Sequence, residues 1–413
     1  MVSRGRTTLL TNAPARRGLA TLAVAASVMA LSACSSIGDD AGGRSDASPA
    51  AAEKSAAPVD LSVNVPDGAQ DVTVDTKVKV KAEGGEIDKV RVAYGEGADR
   101  TRLPGGIRGG GARWVADDLL EPGQTYHMKI KGHNVDGEAK TTRTKFTTEA
   151  LSLDQQAYPS MQPLQGETVG VGMPVIVSFD IPVTNKAAVE KRLSVTSKPK
   201  VKGSWNWLSD TTVHYRPKKF WPAGTEVHVG VDVNGVQTAE GIYGQESRSV
   251  DFEIGRRVVS RMNVAKHALT VRIDGKVARR LPATSGKNGF ATRNGTKLIM
   301  QKFTTKRMDA ATTGISKDDP EYYNIADVRY AMRVTNSGEF IHAAPWSVGS
   351  QGSANVSHGC VGLSTEDAHW FFNLSHRGDP VRFVNSTRGL EPGNGWTDWN
   401  QSFKEYKQGS ALH

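Results

Sequence analysis

The chain has 413 residues, of which 38% are hydrophobic, 7% are aromatic and 43 are glycine. This length predicts two to four domains, and the composition is typical of small β-rich domains joined by turns. The formal net charge is +9. No dense Lys/Arg stripe with interleaved aromatic residues accompanies that charge, so nucleic acid is not an expected partner.

Residues 1–33 are interpreted as a secretory signal peptide. The segment carries four arginines and no acid, and it ends in the apolar run 18–33, which is short for a membrane-spanning helix. Leu31-Ser32-Ala33-Cys34 resembles the lipobox of bacterial lipoproteins. That resemblance implies a lipid anchor on Cys34 and a location on the extracytoplasmic face of the cell membrane. Residues 34–57, rich in Ser, Gly, Asp and Ala, are predicted to be a flexible linker.

Two β-domains are predicted next, over residues 58–149 and 150–254. Both contain short runs in which apolar and polar residues alternate, separated by glycine-rich turns, as expected for half-buried strands. Two units of this size with short strands indicate immunoglobulin-like sandwiches that serve as spacers. The clearest strand patterns are Leu61–Val65, Lys77–Lys81, Val90–Tyr94, Val175–Phe179 and Val250–Ile254.

A third, β-rich domain is predicted over residues 255–385, and it contains the candidate chemistry. Cys360 is the one cysteine outside the N-terminal segment, and His342 and His358 lie near it in the sequence. A thiol acts as a nucleophile in its thiolate form, and an imidazole can take its proton. Gly359 allows a tight turn before Cys360. These residues alone indicate either a cysteine acyl-transfer enzyme or a buried, inert cysteine.

His342, a gap of 14 residues and then Ser357-His358-Gly359-Cys360 resemble the signature of the YkuD-type L,D-transpeptidases. The layout of lipoprotein signal, two Ig-like domains, catalytic domain and Trp-rich C-terminal segment 386–413 is similar to that of the mycobacterial and other actinobacterial members. Residues 342–352 also resemble that group. One position departs from the family pattern, because Gly362 stands where the family has Asn. The resemblance implies a mainly β fold: two Ig-like sandwiches, a YkuD-type catalytic domain and a short C-terminal strap.

The family resemblance also implies a reaction. Cys360 would attack the carbonyl between residues three and four of a peptidoglycan stem tetrapeptide, release D-Ala, and pass the acyl group to an amine of a second stem. The product is a 3→3 cross-link. His342 would be the base and acid, oriented by the backbone carbonyl of Ala343, while His358 would shape the loop. The N–H groups of Gly359 and Cys360 are candidate oxyanion donors.

Further expectations follow from the same resemblance. Residues 302–330 would form a lid over the site, and Met308 together with Tyr323, or alternatively Tyr322, would line the donor pocket with Trp346 and Ser357. No metal or organic cofactor is implied, and carbapenem β-lactams would acylate Cys360. In the C-terminal segment, Trp396, Trp399, Phe403 and Tyr406 have the spacing of one helical face, which predicts a strap on the catalytic domain.

Two other functions remain open at this point. An L,D-carboxypeptidase or another wall-directed cysteine peptidase would use the same residues, with water in place of the acceptor amine. A wall-binding protein that only displays its Ig-like domains would make no use of Cys360.

Overall fold

The computed structural model describes residues 55–412 except 96, 98 and 99. The predicted signal peptide and the predicted lipidation site Cys34 lie outside these residues. Within them, no helix combines the length and apolar character needed to cross a membrane. The described chain is mainly β-structure, as the sequence predicted.

The first domain is a sandwich of two four-stranded sheets, with strand orders β1-β2-β6-β5 and β4-β3-β7-β8. Along β7, buried and more exposed side chains alternate, because successive residues of a strand point to opposite faces. The core contains Tyr126 stacked on Phe146 at a centroid distance of 5.1 Å. The strands are β1 (Asp60–Val63), β2 (Lys79–Glu83), β3 (Gly85–Tyr94), β4 (Thr101–Leu103), β5 (Gly105–Arg108), β6 (Arg113–Ala116), β7 (Thr125–Asn134) and β8 (Ala139–Thr147).

The second domain is a similar sandwich, with sheets β10-β12-β15-β14 and β11-β19-β16-β13 and a small third sheet, β17-β18-β9. Its core surrounds the fully buried Trp221, whose indole N–H donates to the carbonyl of Met173 at 2.9 Å. The elements are β9 (Gln156–Ala157), β10 (Pro159–Gln162), β11 (Thr168–Val169), β12 (Val175–Phe179), α1 (Lys186–Glu190), β13 (Leu193–Lys198), β14 (Gly203–Trp207), β15 (Thr212–Pro217), β16 (Glu226–Val231), β17 (Gln237–Ala239), β18 (Ile242–Gly244) and β19 (Arg248–Ile254).

The third domain combines the sheets β22-β21-β20-β28-β23 and β24-β25-β26-β27 with one longer helix, α2. Ser364 caps α2 by accepting the Asp367 N–H at 3.0 Å, and the helix buries Phe371. The elements are β20 (Val258–Asn263), β21 (Ala268–Ile273), β22 (Lys276–Pro282), β23 (Gly295–Leu298), β24 (Gln301–Asp309), β25 (Asn324–Arg333), β26 (Phe340–Ala343), β27 (Val361–Leu363), α2 (Thr365–Leu374) and β28 (Pro380–Val384).

The second and third domains touch through their backbones. Gly170 N–H donates to the carbonyl of Arg377 at 2.6 Å, and Gly172 N–H donates to the carbonyl of Gly378 at 3.0 Å. A Cβ at Gly170 would lie 2.2 Å from the backbone nitrogen of Asp379, so glycine is what permits this approach. The contact holds the third domain directly against its neighbour.

The C-terminal segment corrects one prediction. Its aromatic residues do not share one helical face, because a 3-10 turn at Asp398–Asn400 and the short helix α3 (Phe403–Tyr406) are separate elements. Three of the four rings, those of Trp399, Phe403 and Tyr406, instead lie 4.3–5.4 Å from the Arg216 guanidinium of the second domain.

The same segment also contacts the third domain. The Thr296 N–H donates to Asn400 Oδ1 at 2.7 Å, while Asp398 Oδ1 lies 2.9 Å from His214 Nδ1 in the second domain. The segment therefore joins the second and third domains rather than packing on the third alone.

Candidate active site

His342 and Cys360 come together through a parallel strand pair. His342 on β26 pairs with Gly362 on β27, and Cys360 lies two residues before Gly362. Because side chains alternate along a strand, Cys360 and His342 lie on the same face of this sheet. Gly359, with φ of +121°, forms the turn that leads into Cys360. Both side chains are buried and both line one cavity.

The hydrogen bond of His342 settles its tautomer. Its Nδ1 lies 2.8 Å from the carbonyl oxygen of Ala343, which accepts only, so Nδ1 carries the proton. Burial lowers the pKa of His342, although the bond to Ala343 opposes that shift. The imidazole is therefore neutral near pH 7, and Nε2 presents a lone pair that can accept a proton.

Cys360 is a free thiol, and its surroundings keep it protonated in the resting state. Burial raises the pKa of the Cys360 thiol to about 11. The sulfur donates to the carbonyl of Gly338 at 3.7 Å, and the backbone N–H of Phe340 donates to the sulfur. With both partners neutral at rest, the thiolate must form as the imidazole takes the proton.

Ser357 holds the loop before Cys360 in shape. Its Oγ donates to the carbonyl of Cys360 at 2.6 Å and accepts the N–H of Gly359 at 3.1 Å. Thr292 Oγ1 fixes the other side of the turn by donating to the carbonyl of Gly359 at 2.8 Å.

These bonds correct the prediction for Gly359. Its N–H is already used within the loop and is not free to donate to a substrate oxygen. The N–H of Cys360 has no hydrogen-bond partner in the described part of the chain, and it remains the backbone candidate for an oxyanion donor.

His358 points toward the lid. Its ring lies between those of Phe290 and Tyr323, at centroid distances of 4.6 and 4.9 Å. Its Nε2 lies 2.7 Å from Glu321 Oε2, which also accepts from Lys287 Nζ at 2.5 Å. These contacts join the catalytic loop to residue 321 of the lid.

A cavity of about 510 Å³ opens above Cys360 and His342. Met308 and Tyr323 both line it, and Tyr322 does not, which decides between the two tyrosines that the sequence left open. Burial raises the pKa of Tyr323 to about 12, so its hydroxyl stays protonated and can donate a hydrogen bond. Trp346 is 56% exposed at the rim, with its ring 5.9 Å from that of His342. Ser357 and His358 are also lining residues.

The structure shows what occupies the place of a side chain at Gly362. A Cβ there would lie 2.8 Å from Thr284 Cγ2 and 2.9 Å from the Cβ of Ala344. Thr284 also pairs with the backbone of Gly362 in both directions at 3.0 Å. Two methyl groups therefore close the space beside His342, and an Asn at this position does not fit without movement.

Several residues of the site carried no signal in the sequence. Thr284 and Thr292 are buried and act through the methyl and hydroxyl groups that every threonine carries, so no motif marks them. Glu321 lies in a polar loop that also has no motif. Among the described residues, no group of three or more His, Cys, Asp or Glu side chains is arranged to hold a metal ion.

Comparison with known proteins identifies two families along the chain. The family described as the L,D-transpeptidase catalytic domain matches residues 257–383, and the family described as the bacterial Ig domain matches residues 69–237. The first match contains the whole of the site described above.

Individual relatives match over longer stretches. L,D-transpeptidase 2 of Mycobacterium tuberculosis is 35% identical over 352 residues, covering 85% of this chain and 85% of that protein. L,D-transpeptidase 1 of Mycobacterium tuberculosis is 36% identical over 248 residues, covering 58% of this chain and 93% of that protein. The solved structure of L,D-transpeptidase 3 from Mycobacterium tuberculosis with a faropenem-derived adduct is 34% identical, with a TM-score of 0.47, covering 57% of this chain and all of that chain.

Proposed function

This chain belongs to the L,D-transpeptidase family, and on that premise we propose that it cross-links peptidoglycan stem peptides through an acyl-enzyme on Cys360. The observation that carries the proposal is the shared strand face of the two site residues. Cys360 and His342 project from one face of the sheet into the same cavity, both buried and both neutral at rest. A neutral thiol beside a neutral imidazole is competent for base-assisted attack.

In the first half-reaction, His342 Nε2 takes the thiol proton as Cys360 Sγ bonds to the carbonyl carbon between stem residues three and four. The tetrahedral oxyanion is positioned to accept from the Cys360 N–H. Collapse breaks the C–N bond, and the proton on His342 passes to the leaving D-Ala nitrogen. The products are a thioester at Cys360 and free D-Ala.

In the second half-reaction, the side-chain amine of a diamino acid on another stem attacks the thioester carbonyl. His342 takes a proton from that amine, the C–S bond breaks, and the thiolate recovers its proton from the imidazolium. The new amide is a 3→3 cross-link, and the enzyme returns to its starting state.

We assign one part of the cavity wall to binding the donor stem and the rim to the entry of the acceptor. Met308 and Tyr323 are the enclosed part of the wall, and we assign them to the donor stem, with the Tyr323 hydroxyl as a hydrogen-bond donor. Trp346 is exposed at the rim beside His342, where an arriving amine would pass. An acceptor that fills this opening keeps water from the thioester.

The test is incubation of the protein with disaccharide-tetrapeptide, followed by mass spectrometry of the products. A cross-linked dimer that has lost one D-Ala supports the proposal if Cys360→Ala abolishes it and Lys200→Ala, an exposed substitution in the second domain, does not. Tripeptide without dimer would establish the L,D-carboxypeptidase instead. Activity that survives in Cys360→Ala would contradict both.

We also propose that carbapenems acylate Cys360, because the strained β-lactam carbonyl can take the position of the donor carbonyl above the thiol. Intact-mass measurement should show one added molecule per chain. The adduct should be absent from Cys360→Ala, and an adduct that persists there would overturn this proposal.

The location of the enzyme is a separate proposal, supported by residues 18–34 alone. The apolar run and the lipobox-like Leu31–Cys34 favour a diacylglyceryl anchor on Cys34 at the outer face of the membrane. Metabolic labelling with a clickable fatty acid should mark the wild-type chain and not Cys34→Ala. Equal labelling of both would contradict the anchor.

A further inference from the structure

A buried cluster of charges lies behind Cys360, and the reaction described above makes no use of it. The side chain of Lys297 is fully buried, and its Nζ forms an ion pair with Glu339 Oε2. Glu339 Oε1 accepts from the Arg293 backbone N–H at 3.0 Å and from Arg293 Nη1 at 3.2 Å. The desolvation cost of a buried ion pair can cancel the gain from its attraction, so stability alone does not explain why this pair is present.

The charges continue from this pair to the surface in alternating order. Arg293 Nε also donates to Glu391 Oε2 at 2.6 Å, and Arg388 pairs with Glu391 at 3.0 Å. Three cations therefore alternate with two carboxylates, which leaves one positive charge in excess. The buried end of the series is Lys297, whose ammonium contacts one carboxylate and the face of Phe383 at 3.8 Å.

Glu339 is placed between the two backbone groups that touch the nucleophile. The carbonyl of Gly338 accepts from the Cys360 sulfur at 3.7 Å, and the N–H of Phe340 donates to it. A Cβ at Gly359 would lie 3.6 Å from Glu339 Cγ, so the same side chain supports the turn before Cys360. The bonds from Arg293 and Lys297 to Glu339 thus fix the segment that surrounds the sulfur.

We propose that Lys297 and Glu339 are positioning residues for the Cys360 thiolate. Glu339 anchors the backbone of residues 338–340 around the sulfur. Lys297 supplies a buried positive charge, which stabilises the thiolate that forms when His342 removes the thiol proton. This inference rests on the proposed function only in taking Cys360 as the nucleophile.

The other charged group that acts on this sulfur is Arg333, which favours the thiolate, and the titratable side chains of His342 and Tyr323 line the same cavity. They are unchanged in the variants below. Burial lowers the pKa of Lys297, and its pairing with Glu339 opposes that shift and favours the charged amine.

The two residues should affect the thiol in opposite directions. Lys297→Met removes a cation and leaves Glu339 paired with Arg293, so the thiolate loses favourable charge. Glu339→Gln leaves the positive charges of Lys297 and Arg293 without their shared carboxylate, so these charges favour the thiolate more strongly. A purely structural role for the pair would shift both variants in the same direction.

The experiment is the pH dependence of iodoacetamide alkylation of the full chain, read by mass spectrometry on the peptide that contains Cys360, so that Cys34 does not interfere. We expect the alkylation midpoint to rise by at least half a pH unit in Lys297→Met and to fall by a similar amount in Glu339→Gln. The exposed substitution Lys276→Met is the matched control and should leave the midpoint unchanged.

If a single variant fails to fold, the double variant Lys297→Met/Glu339→Gln removes both charges together, and its midpoint should lie between those expected for the two single variants. Shifts in the same direction, or no shift, would overturn the inference. The measurement needs no turnover, so opposite shifts without cross-linking would contradict the proposed function and leave this inference standing.

A second, independent observation concerns the outer face of the first domain. A concave site of about 520 Å³ lies over β3, β7 and β8. Arg91 pairs with Lys129 across the strands, and Lys129 pairs with Arg143, so three cations form a row. Arg100 and Lys145 also line the site, and Asp67 is its one carboxylate.

No ion pair to these five cations is found within the described residues, and the Asp67 carboxylate accepts the backbone N–H of Lys145. Like charges directly opposite one another destabilise a sheet, so the row has a cost unless an anion covers it. Neighbouring strands lie about 4.8 Å apart, so the three cations form a closely spaced row of positive charge.

We infer that this basic groove binds a phosphodiester-linked polyanion of the cell wall. One guanidinium group can donate two parallel hydrogen bonds to two oxygens of a phosphate. Arg91 and Arg143 lie at the two ends of the row, with Lys129 between them.

The test is co-sedimentation of the full chain with purified cell-wall sacculi, before and after hydrofluoric acid removes phosphodiester polymers. Binding should fall at least tenfold on stripped sacculi and in Arg91→Glu/Arg143→Glu, and it should weaken with added salt. The equal charge change Lys200→Glu/Lys202→Glu, on exposed residues of the second domain, should bind as wild type. Equal binding to stripped sacculi, wild-type binding by the groove variant, or a preference for anionic phospholipid vesicles would each overturn the inference.

Discussion

His342 lies directly across from Gly362 in a parallel strand pair, and this register puts the imidazole on the same face as the Cys360 thiol. The imidazole and the thiol are buried against the same cavity, and burial keeps each of them neutral. This relationship governs how the reaction should depend on pH.

The cross-linking rate should fall at acidic pH. Burial lowers the pKa of His342 below its usual value, so the neutral base persists to lower pH than for a free imidazole and is lost as pH falls through that lowered value. A pH profile of kcat/KM should show this acidic limb. His342→Gln should lower kcat by about 10²–10⁴-fold, the usual contribution of a general base. An unchanged rate in that variant would remove His342 from the mechanism.

Gly362→Asn should destabilise the third domain. The new Cβ would lie within 2.9 Å of Thr284 and Ala344 methyl groups, and overpacking of this kind costs about 1–3 kcal/mol. Thermal unfolding measures the loss. Adding Thr284→Ser removes the closest methyl while keeping the hydroxyl that accepts the Val356 N–H, and it should restore part of the stability. If Gly362→Asn melts like wild type, the space beside His342 is less closed than the packing indicates.

Glu321→Ala should raise the KM for the donor stem more than it lowers kcat. Glu321 joins the lid to His358 and Lys287, and hydrogen bonds from Lys287 and His358 lower the pKa of its carboxyl. Its loss frees the lid without removing a reacting group. Asp318→Ala, an exposed acid in the same lid, is the control. An equal fall in kcat with unchanged KM would mean that Glu321 acts on the chemistry and not on donor binding.

Asp379 should make stability depend on pH. Burial raises the pKa of Asp379 to about 7. Its Oδ1 packs closely against Gly170 and has no hydrogen-bond partner among the described residues. A folded-state pKa above the unfolded one means that ionisation opposes folding, so stability falls as pH rises from about 4 to about 7.

The melting temperature of wild type should therefore drop between pH 5 and pH 8, with a loss on the order of 1–3 kcal/mol. Asp379→Asn, which cannot ionise, should show a smaller drop, while the exposed Asp327→Asn should follow wild type. Parallel curves for all three proteins would contradict this assignment.

Part of the site could be predicted from the sequence because its residues lie close together along the chain. Ser357-His358-Gly359-Cys360 with His342 upstream is a local signature, and the Gly turn before a nucleophile has a recognisable composition. The alternation of apolar and polar residues likewise predicted the mainly β class, because side-chain periodicity is a property of each strand by itself.

Other features depend on residues that are distant in sequence. The sequence left the choice between Tyr322 and Tyr323 open. It did not predict that Ser357 uses the Gly359 N–H, or that the C-terminal segment passes around Arg216. The spacing of the C-terminal rings suits a helix, but the contacts with Arg216 override that local preference.

The sequence by itself determined that this chain is a β-rich enzyme of the L,D-transpeptidase family with Cys360 and His342 as its candidate reacting pair, since motif and alternation are local properties. The tertiary structure alone decided that Lys297 and Glu339 stand behind the nucleophile and that Thr284 closes the space at Gly362. Burial, charge pairing and packing against another strand are set by contacts across the fold, and no spacing along the chain encodes them.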